Sequence, residues 1–292
     1  IGTPVDVTVA YSDTSMNTSS CVSVITVLDT TSPMAMCNTI TVYLDETGDY
    51  VLMVDDIDSL TSGSSDNCTD EANLTVVLAQ NDFSCADTGP SGYALDITIT
   101  DESGNMANCT ATVIVVDTVA PDVVCQDITV QLDANGVATI DSNELDNGST
   151  DACGIESIVA DITTFGCADV GANTVTLTVT DVNGNSDTCT ATVTVEDNVA
   201  PVALCQDITV FLDETGVTTI EGSDVDGGSV DACGIASSSV SPDTFRCADV
   251  GSNLVTLTVT DSNGQTSTCT ANVTVLDTVP PTALCNDITV YL

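Results

Sequence analysis

Apolar and polar residues alternate along much of this chain. Val175, Leu177 and Val179 alternate with Thr174, Thr176, Thr178 and Thr180, and Thr190, Thr192 and Thr194 alternate with apolar residues across 188–195. A period of two marks a half-buried β-strand. Asp181-Val182-Asn183-Gly184-Asn185 lies between the two runs and predicts a tight hairpin, because Asn and Gly tolerate positive φ. Upstream, residues 124–132 begin irregularly, alternate from Ile128 and stop at the turn 133–136. Residues 137–140 return, and a loop rich in Asp, Asn, Gly and Ser leads to Cys153. A short strand follows through Ile155 and Ile158, then another near 163–167. Six or seven short strands in about 80 residues, without a helical period, predict an all-β chain built from small antiparallel sandwiches.

The pattern recurs. CADVGANTVTLTVTDVNGNSDTCTATVTV from Cys167 matches CADVGSNLVTLTVTDSNGQTSTCTANVTV from Cys247 at a spacing of 80 residues. Leu44, Leu132, Leu212 and Leu292 mark one point in successive copies, the first interval being 88 because of an insertion. A period of this size with strand content implies tandem copies of one β-domain. The expected organisation is residues 1–28 as the last two strands of a repeat, 29–116 as a divergent first repeat, 117–196 and 197–276 as the second and third, and 277–292 as the first strand of another. The chain thus reads as an excerpt, or one repeating unit, of a longer exported polymer.

Charge narrows the function classes. Forty-four acids face one base, Arg246, with no Lys and no His. Such a polyanion repels nucleic acid and anionic membranes, and no apolar stretch approaches the ~20 residues of a membrane helix. Without His or Lys there is no serine or cysteine triad and no Schiff-base lysine. A carboxylate pair of the glycosidase type remains formally available, but sugars usually need an aromatic platform and a cleft, and only 3% of residues are aromatic. An enzyme is not expected.

Fourteen cysteines without CxxC or Cys/His pairs point to disulfides in an oxidising compartment, and so to an extracellular or cell-surface location. In an immunoglobulin-like sandwich the first and last strands lie side by side and parallel. This predicts Cys37–Cys109, Cys125–Cys189 and Cys205–Cys269, each worth roughly 4 kcal/mol on the chain-entropy model. The remaining cysteines suggest the local pairs Cys68–Cys85, Cys153–Cys167 and Cys233–Cys247, at about 3 kcal/mol each. Cys21 and Cys285 are left for partners outside the fragment or in a neighbouring chain.

The motifs DTVAPDVVCQDITVQLD (117–133), NGSTDACG (147–154), CADVGANTVTLTVTDVNGN (167–185) and TCTATVTVEDNVAP (188–201) carry a family resemblance. The chain resembles the hyalin-type and related immunoglobulin-like tandem repeats of very large exported bacterial surface proteins. That resemblance implies an adhesin, stalk or matrix component, and brings no catalytic residues with it.

Certain acids recur at equivalent places. Asp29, Asp117 and Asp197 sit in linkers, as does Asp277. Asp66, Asp151 and Asp231 sit in the loop before the third strand, and Asp101, Asp181 and Asp261 in the final hairpin. In a sandwich of this topology all three positions fall at the end where the chain enters. The expected clusters are Asp29/Asp66/Asp101, Asp117/Asp151/Asp181 and Asp197/Asp231/Asp261, with Asp146 and Asp226 near enough to join and Thr61 in their place in the first repeat. Three carboxylates plus loop carbonyls suit Ca2+, which takes six to eight oxygens. The competing reading is that Asp is simply a good turn residue. The threonine rows fit a solvent-facing sheet, a lateral packing surface or a glycan attachment surface, and sequons occur at Asn147-Gly148-Ser149 and Asn272-Val273-Thr274. The leading expectation is a structural extracellular protein, a filament, stalk or matrix fibre that self-associates or continues as a longer chain. The alternative is an adhesive module contacting glycans or other cells directly, for which the first repeat, with its insertion at 70–73 and Phe83 and Tyr93, is the candidate.

Overall fold

The computed structural model describes residues 2–290. It is all-β apart from short turns of helix, and consists of disulfide-stapled, immunoglobulin-like β-sandwich repeats. In chain order the strands begin with the hairpin β1 (Val5–Ser12) and β2 (Thr18–Ile25). The first repeat holds β3 (Thr39–Tyr43), β4 (Asp49–Val51), helix α1 (Val54–Thr61), β5 (Thr75–Leu78), β6 (Asp82–Ser84), β7 (Tyr93–Thr100) and β8 (Met106–Val116). The second holds β9 (Ile128–Gln131), β10 (Val137–Thr139), β11 (Ile155–Ala160), β12 (Thr164–Gly166), β13 (Gly171–Asp181) and β14 (Ser186–Glu196). The third holds β15 (Ile208–Phe211), β16 (Val217–Thr219), helix α2 (Gly222–Val225), β17 (Ile235–Ser241), β18 (Thr244–Arg246), β19 (Gly251–Asp261) and β20 (Thr266–Leu276). Residues 277–290 form no strand, and Leu292 lies outside the described residues.

Each repeat pairs its six strands in the same way. The four-stranded sheets run β3-β8-β7-β5, β9-β14-β13-β11 and β15-β20-β19-β17, and each faces a two-stranded sheet of the type β4-β6, β10-β12 or β16-β18. First and last strands are parallel neighbours, Ile128 opposite Val193 and Ile208 opposite Val273. The alternation seen in the sequence is the burial pattern. Val255, Leu257 and Val259 on β19, with Ala271, Val273 and Val275 on β20, are nearly sealed and pack with Leu212, Val225 and Phe245. One phenylalanine, Phe83, Phe165 or Phe245, is buried in each repeat, so branched aliphatics fill the rest.

Helical turns were not expected. Helix α1 forms in the longer first repeat because the Asp56 carboxylate accepts the Met53 N–H and the Tyr50 hydroxyl, both at 2.8 Å, and so closes its first turn. The added length of this repeat is shared between α1 and a 3-10 turn at Glu71–Asn73.

By backbone contacts the chain divides into two compact units. One comprises residues through Val123 with Ser149–Ser157 and Val179–Asp187; the other comprises Val124–Gly148, Ile158–Thr178 and everything from Thr188. The first unit therefore takes in two loops from the second repeat, and a disulfide explains why. Cys85, just after β6, is bonded to Cys153 in the 149–157 loop. In the other unit Cys167, just after β12, is bonded to Cys233 before β17. The first-to-last-strand bonds are Cys37–Cys109, Cys125–Cys189 and Cys205–Cys269.

The local pairs Cys68–Cys85, Cys153–Cys167 and Cys233–Cys247 do not form. Cys233 precedes Ile235, which pairs with Asp261 at the end of β19, while Cys247 precedes Gly251 at its start. Eleven strand residues separate those ends by about 33 Å, against a Cα–Cα limit near 7 Å for a disulfide. Each such pair is instead broken up, and Cys85, Cys153, Cys167 and Cys233 bond across repeats. Cys68 and Cys247 are left free and exposed, as are Cys21 and Cys285.

Candidate cation sites

Three acidic clusters form where the linker, the loop before the third strand and the final hairpin meet. In the first, Asp29, Asp66 and Asp101 each bring one carboxylate oxygen within 4.8 Å of the others. In the second, Asp117 and Asp151 meet in the same way, and the third atom of the group is Cys153 Sγ; in the third cluster these roles fall to Asp197, Asp231 and Cys233. Both sulfurs are committed to disulfides. Asp181 and Asp261 thus stand outside the tightest groups, although the Asp181 charge reaches Asp117.

The hairpin aspartates have a turn role first. Asp181 Oδ1 accepts the Asn183 and Asn185 N–H groups at 2.9 and 2.8 Å, and Oδ2 accepts the Asn185 amide at 2.8 Å. The amide also donates to the Asp117 carbonyl at 3.2 Å, tying hairpin to linker. Asn105 does the same between Asp101 and the Asp29 carbonyl, at 2.7 and 3.3 Å. Burial works to raise the Asp101 pKa, but the Asn105 amide and the turn N–H groups outweigh it and hold the carboxyl below its ordinary value.

The linker aspartates, with Asp66 and the hairpin Asp261, differ, because each keeps one buried oxygen without a partner. Asp117 Oδ1 accepts the Val119 N–H at 3.0 Å, Asp197 Oδ1 that of Val199 at 3.1 Å, and Asp29 Oδ1 that of Thr31 at 3.0 Å. Asp151 and Asp231 accept the N–H of Cys153 and Cys233 at 2.8 and 2.7 Å, and Asp66 that of Cys68 at 2.8 Å. The remaining oxygens Asp29 Oδ2, Asp66 Oδ1, Asp117 Oδ2, Asp197 Oδ2 and Asp261 Oδ2 are sealed from solvent without a hydrogen-bond donor. Asp117 and Asp197 are each only 6% exposed. Burial raises the Asp117 carboxyl pKa, and after it the nearby charges of Asp181 and Asp151 add to the rise against the Val119 bond.

An enclosed carboxylate oxygen without a donor costs free energy of the order of 1–3 kcal/mol or more. Two such oxygens belong to the first set of aspartates (Asp29, Asp66), one to the second (Asp117) and two to the third (Asp197, Asp261), in a chain whose only base is Arg246. Binding a hard divalent cation is a chemistry these oxygens could serve, since such a cation ligates carboxylate oxygens that lack a donor. Asp226 does not belong to these sets: its Oδ1 accepts the Ser229 hydroxyl and N–H at 2.7 and 2.8 Å, which lowers its pKa. Asp146, bridged through its backbone to Cys125, is likewise outside the three groups, and Thr61 sits on α1 with its hydroxyl on the Ile57 carbonyl.

The cysteine in the Asp-x-Cys loop and the amide four residues after each hairpin aspartate also shape the sites. Their signal lay in the recurring spacings Asp66–Cys68, Asp151–Cys153 and Asp231–Cys233, and in Asn105, Asn185 and Gln265.

No family model matches the chain, and no curated protein does. Among solved structures, Sidekick-1 immunoglobulin domains 1–5 align with a TM-score of 0.38 at 10% identity, over 92% of this chain and 66% of that one. Titin domains I67–I69 align with a TM-score of 0.35 at 9% identity, over 84% and 98%. Protocadherin gamma B7 extracellular cadherin domains 1–4 align with a TM-score of 0.31 at 12% identity, over 70% and 66%, so the chain spans just under two thirds of that structure. Among the described residues no helix is long and apolar enough to cross a membrane.

Proposed function

We propose that this chain is a structural extracellular protein, a tandem repeat of a filament, stalk or matrix fibre whose junctions bind calcium. The domains are 29–116, 117–196 and 197–276, and the repeats are of the hyalin type that the motifs resemble. One observation carries the reading: each of two acidic clusters is built beside a disulfide that joins successive repeats. Asp151 holds the N–H of Cys153, and Cys153 is bonded to Cys85. Asp231 holds Cys233, and Cys233 is bonded to Cys167. A covalent bond and a cation at the same joint both restrict bending, as a load-bearing element requires. Cys153 and Cys233 supply the bond, and the cation is held through the unpaired oxygen of Asp117 at one joint and those of Asp197 and Asp261 at the other.

The test is electron microscopy of purified, oxidised material with calcium and after chelation. The expected result is fibres with a regular repeat of about 35–40 Å, from strands of eight to nine residues plus loops, that kink or collapse on chelation. Fibres indifferent to chelation contradict the calcium joints. Separate flexible monomers in both conditions contradict the fibre.

A second reading, an adhesive module contacting glycans or cells, is favoured by one feature of the first repeat. Asp58, Thr61 and Ser62, with Glu71, Ala72 and Leu74 on the inserted turn, line an open cavity of about 540 Å³. A glycan array probed with the chain distinguishes the readings.

A further inference from the structure

Both inter-repeat disulfides end on a cysteine that belongs to an acidic cluster. Cys153 Sγ lies within 4.8 Å of a carboxylate oxygen of Asp117 and of one of Asp151, and Cys233 Sγ stands in the same relation to Asp197 and Asp231. Backbone hydrogen bonds tie sulfur and carboxylate into one loop. Asp151 Oδ1 accepts the N–H of Cys153 at 2.8 Å and that of Gly154 at 3.1 Å, and Asp231 Oδ1 accepts the N–H of Cys233 at 2.7 Å.

The disulfide seats that loop. Cys153 is bonded to Cys85 and Cys233 to Cys167, each with a Cα–Cα distance of 5.1 Å. Beside the bond, the loop lies against a turn glycine of the preceding repeat. A Cβ built on Gly48 would stand 2.7 Å from Cys85 Sγ and 3.0 Å from the Ala152 Cβ; one built on Gly136 would stand 2.7 Å from Cys167 Sγ and 3.2 Å from the Ala232 Cβ. Opening the bond frees the loop that carries Asp151 or Asp231. Asp117 and Asp197 belong to the linkers instead, and each is 6% exposed with an Oδ2 that lacks a donor.

Two effects then act in the same direction. Closing the disulfide holds like charges together, which costs free energy until a cation neutralises them. Opening it gives freedom to a loop that a bound cation must order again, at an entropic cost. We propose that calcium and the inter-repeat disulfide stabilise one another at each joint, so that the bond resists reduction while calcium is bound and yields when calcium is withdrawn. This rests on the calcium reading above and adds a redox control to it. Reduction is thiol–disulfide exchange. A dithiol such as dithiothreitol gives two electrons and two protons, the Sγ–Sγ bond breaks, both cysteines become thiols, and the reductant leaves as its cyclic disulfide. Linkage is reciprocal, so a loss of calcium affinity of about tenfold on reduction corresponds to a reduction potential about 30 mV lower when calcium saturates the site.

The experiment uses the full chain with its free thiols blocked by N-ethylmaleimide. Equilibration in dithiothreitol buffers of graded potential, then alkylation and mass spectrometry, gives the potential of each disulfide with calcium and with chelator. Calcium should lower the potentials of Cys85–Cys153 and Cys167–Cys233 by about 30 mV. Asp117→Asn should abolish the shift at Cys85–Cys153 and keep it at Cys167–Cys233, and Asp197→Asn should do the converse. The reciprocal measurement is a calcium titration of the Cys85→Ser, Cys153→Ser variant, in which the binding component that Asp117→Asn removes should weaken about tenfold. Should that variant fail to fold, the potentials of the parent chain decide alone. Potentials that calcium does not move, or equal affinity in parent and variant, overturn the coupling and leave the calcium sites standing. Absence of calcium binding by the oxidised parent overturns both.

Discussion

Asp181 and Asp261 occupy the same position in successive hairpins, and both are almost completely buried, at 0% and 1% exposure. Each gives Oδ1 to two turn N–H groups, at 2.9 and 2.8 Å for Asp181 and 2.8 and 2.8 Å for Asp261. They part at Oδ2. Asn185 fills that oxygen in the second repeat, whereas the third repeat has Gln265, whose amide lies near Asn198 Oδ1 at 3.4 Å and leaves Asp261 Oδ2 without a donor. One methylene carries the amide off the carboxylate. The same backbone turn therefore makes a self-contained structural aspartate in one repeat and a carboxylate with a ligand position open in the next. Acid count alone does not set the state of a cluster; the turn also decides which oxygens are left unpaired, as at Asp261.

The largest effect expected is on the frame common to both repeats. Cys125→Ser with Cys189→Ser should cost about 4 kcal/mol of stability, read by denaturant unfolding, and Cys205→Ser with Cys269→Ser should cost a similar amount. Equal losses would show that the two frames are equivalent and confine the difference to the hairpins. Next comes calcium itself. At a hundred times its dissociation constant it should stabilise each occupied site by about 2.7 kcal/mol, so chelation should lower the melting temperature and Asp197→Asn should reduce the shift. A melting temperature that ignores calcium in both proteins would contradict the sites.

A smaller change tests the methylene directly. Gln265→Asn should return an amide to Asp261, raise calcium-free stability by about 1 kcal/mol and weaken calcium binding at the third cluster. Asn185→Gln should do the reverse at the second. No change in either variant would mean that Oδ2 is not a ligand.

The smallest effect is a pH dependence. The Asp117 pKa is raised in the folded chain by burial and then by Asp181 and Asp151. Its ionised form therefore opposes folding: the penalty is absent below the unfolded pKa near 3.8 and sets in as pH rises through the higher folded value. In chelator, Asp117→Asn should be more stable than the parent at neutral pH, and that advantage should vanish as pH falls below about 3.8. Asp133 and Asp213 act in the opposite sense. Hydrogen bonds lower their pKa, led by the Val137 N–H for Asp133 and the Thr215 hydroxyl for Asp213, so their stabilisation is lost only as pH falls through the lowered values.

Much of this fold is legible in the sequence, because period-two alternation at Val175, Leu177 and Val179 is itself the burial pattern of a strand. The Cys125–Cys189 bond is legible too, since parallel first and last strands bring those positions together. Cys153 and Cys167 were misleading for a physical reason. Proximity in sequence suggested a small loop, but the long strand that follows Cys167 sets the two at opposite ends of the repeat, where each meets a different neighbour. Helix α1 was hidden as well: Val54, Ile57 and Leu60 do recur at a helical spacing, but eight residues give only about two turns in which to read it. Within the acidic clusters the convergence of Asp29, Asp66 and Asp101 could be read from topology. The difference between Asn185 and Gln265 could not, because it depends on where an amide points.

The measurement that bears most directly on calcium at the joints is a calorimetric calcium titration of the oxidised chain, beside variants carrying Asp117→Asn or Asp197→Asn. The account predicts saturable binding at up to three sites per chain, with each substitution removing one. Absence of saturable binding, or binding unchanged by both substitutions, would contradict it.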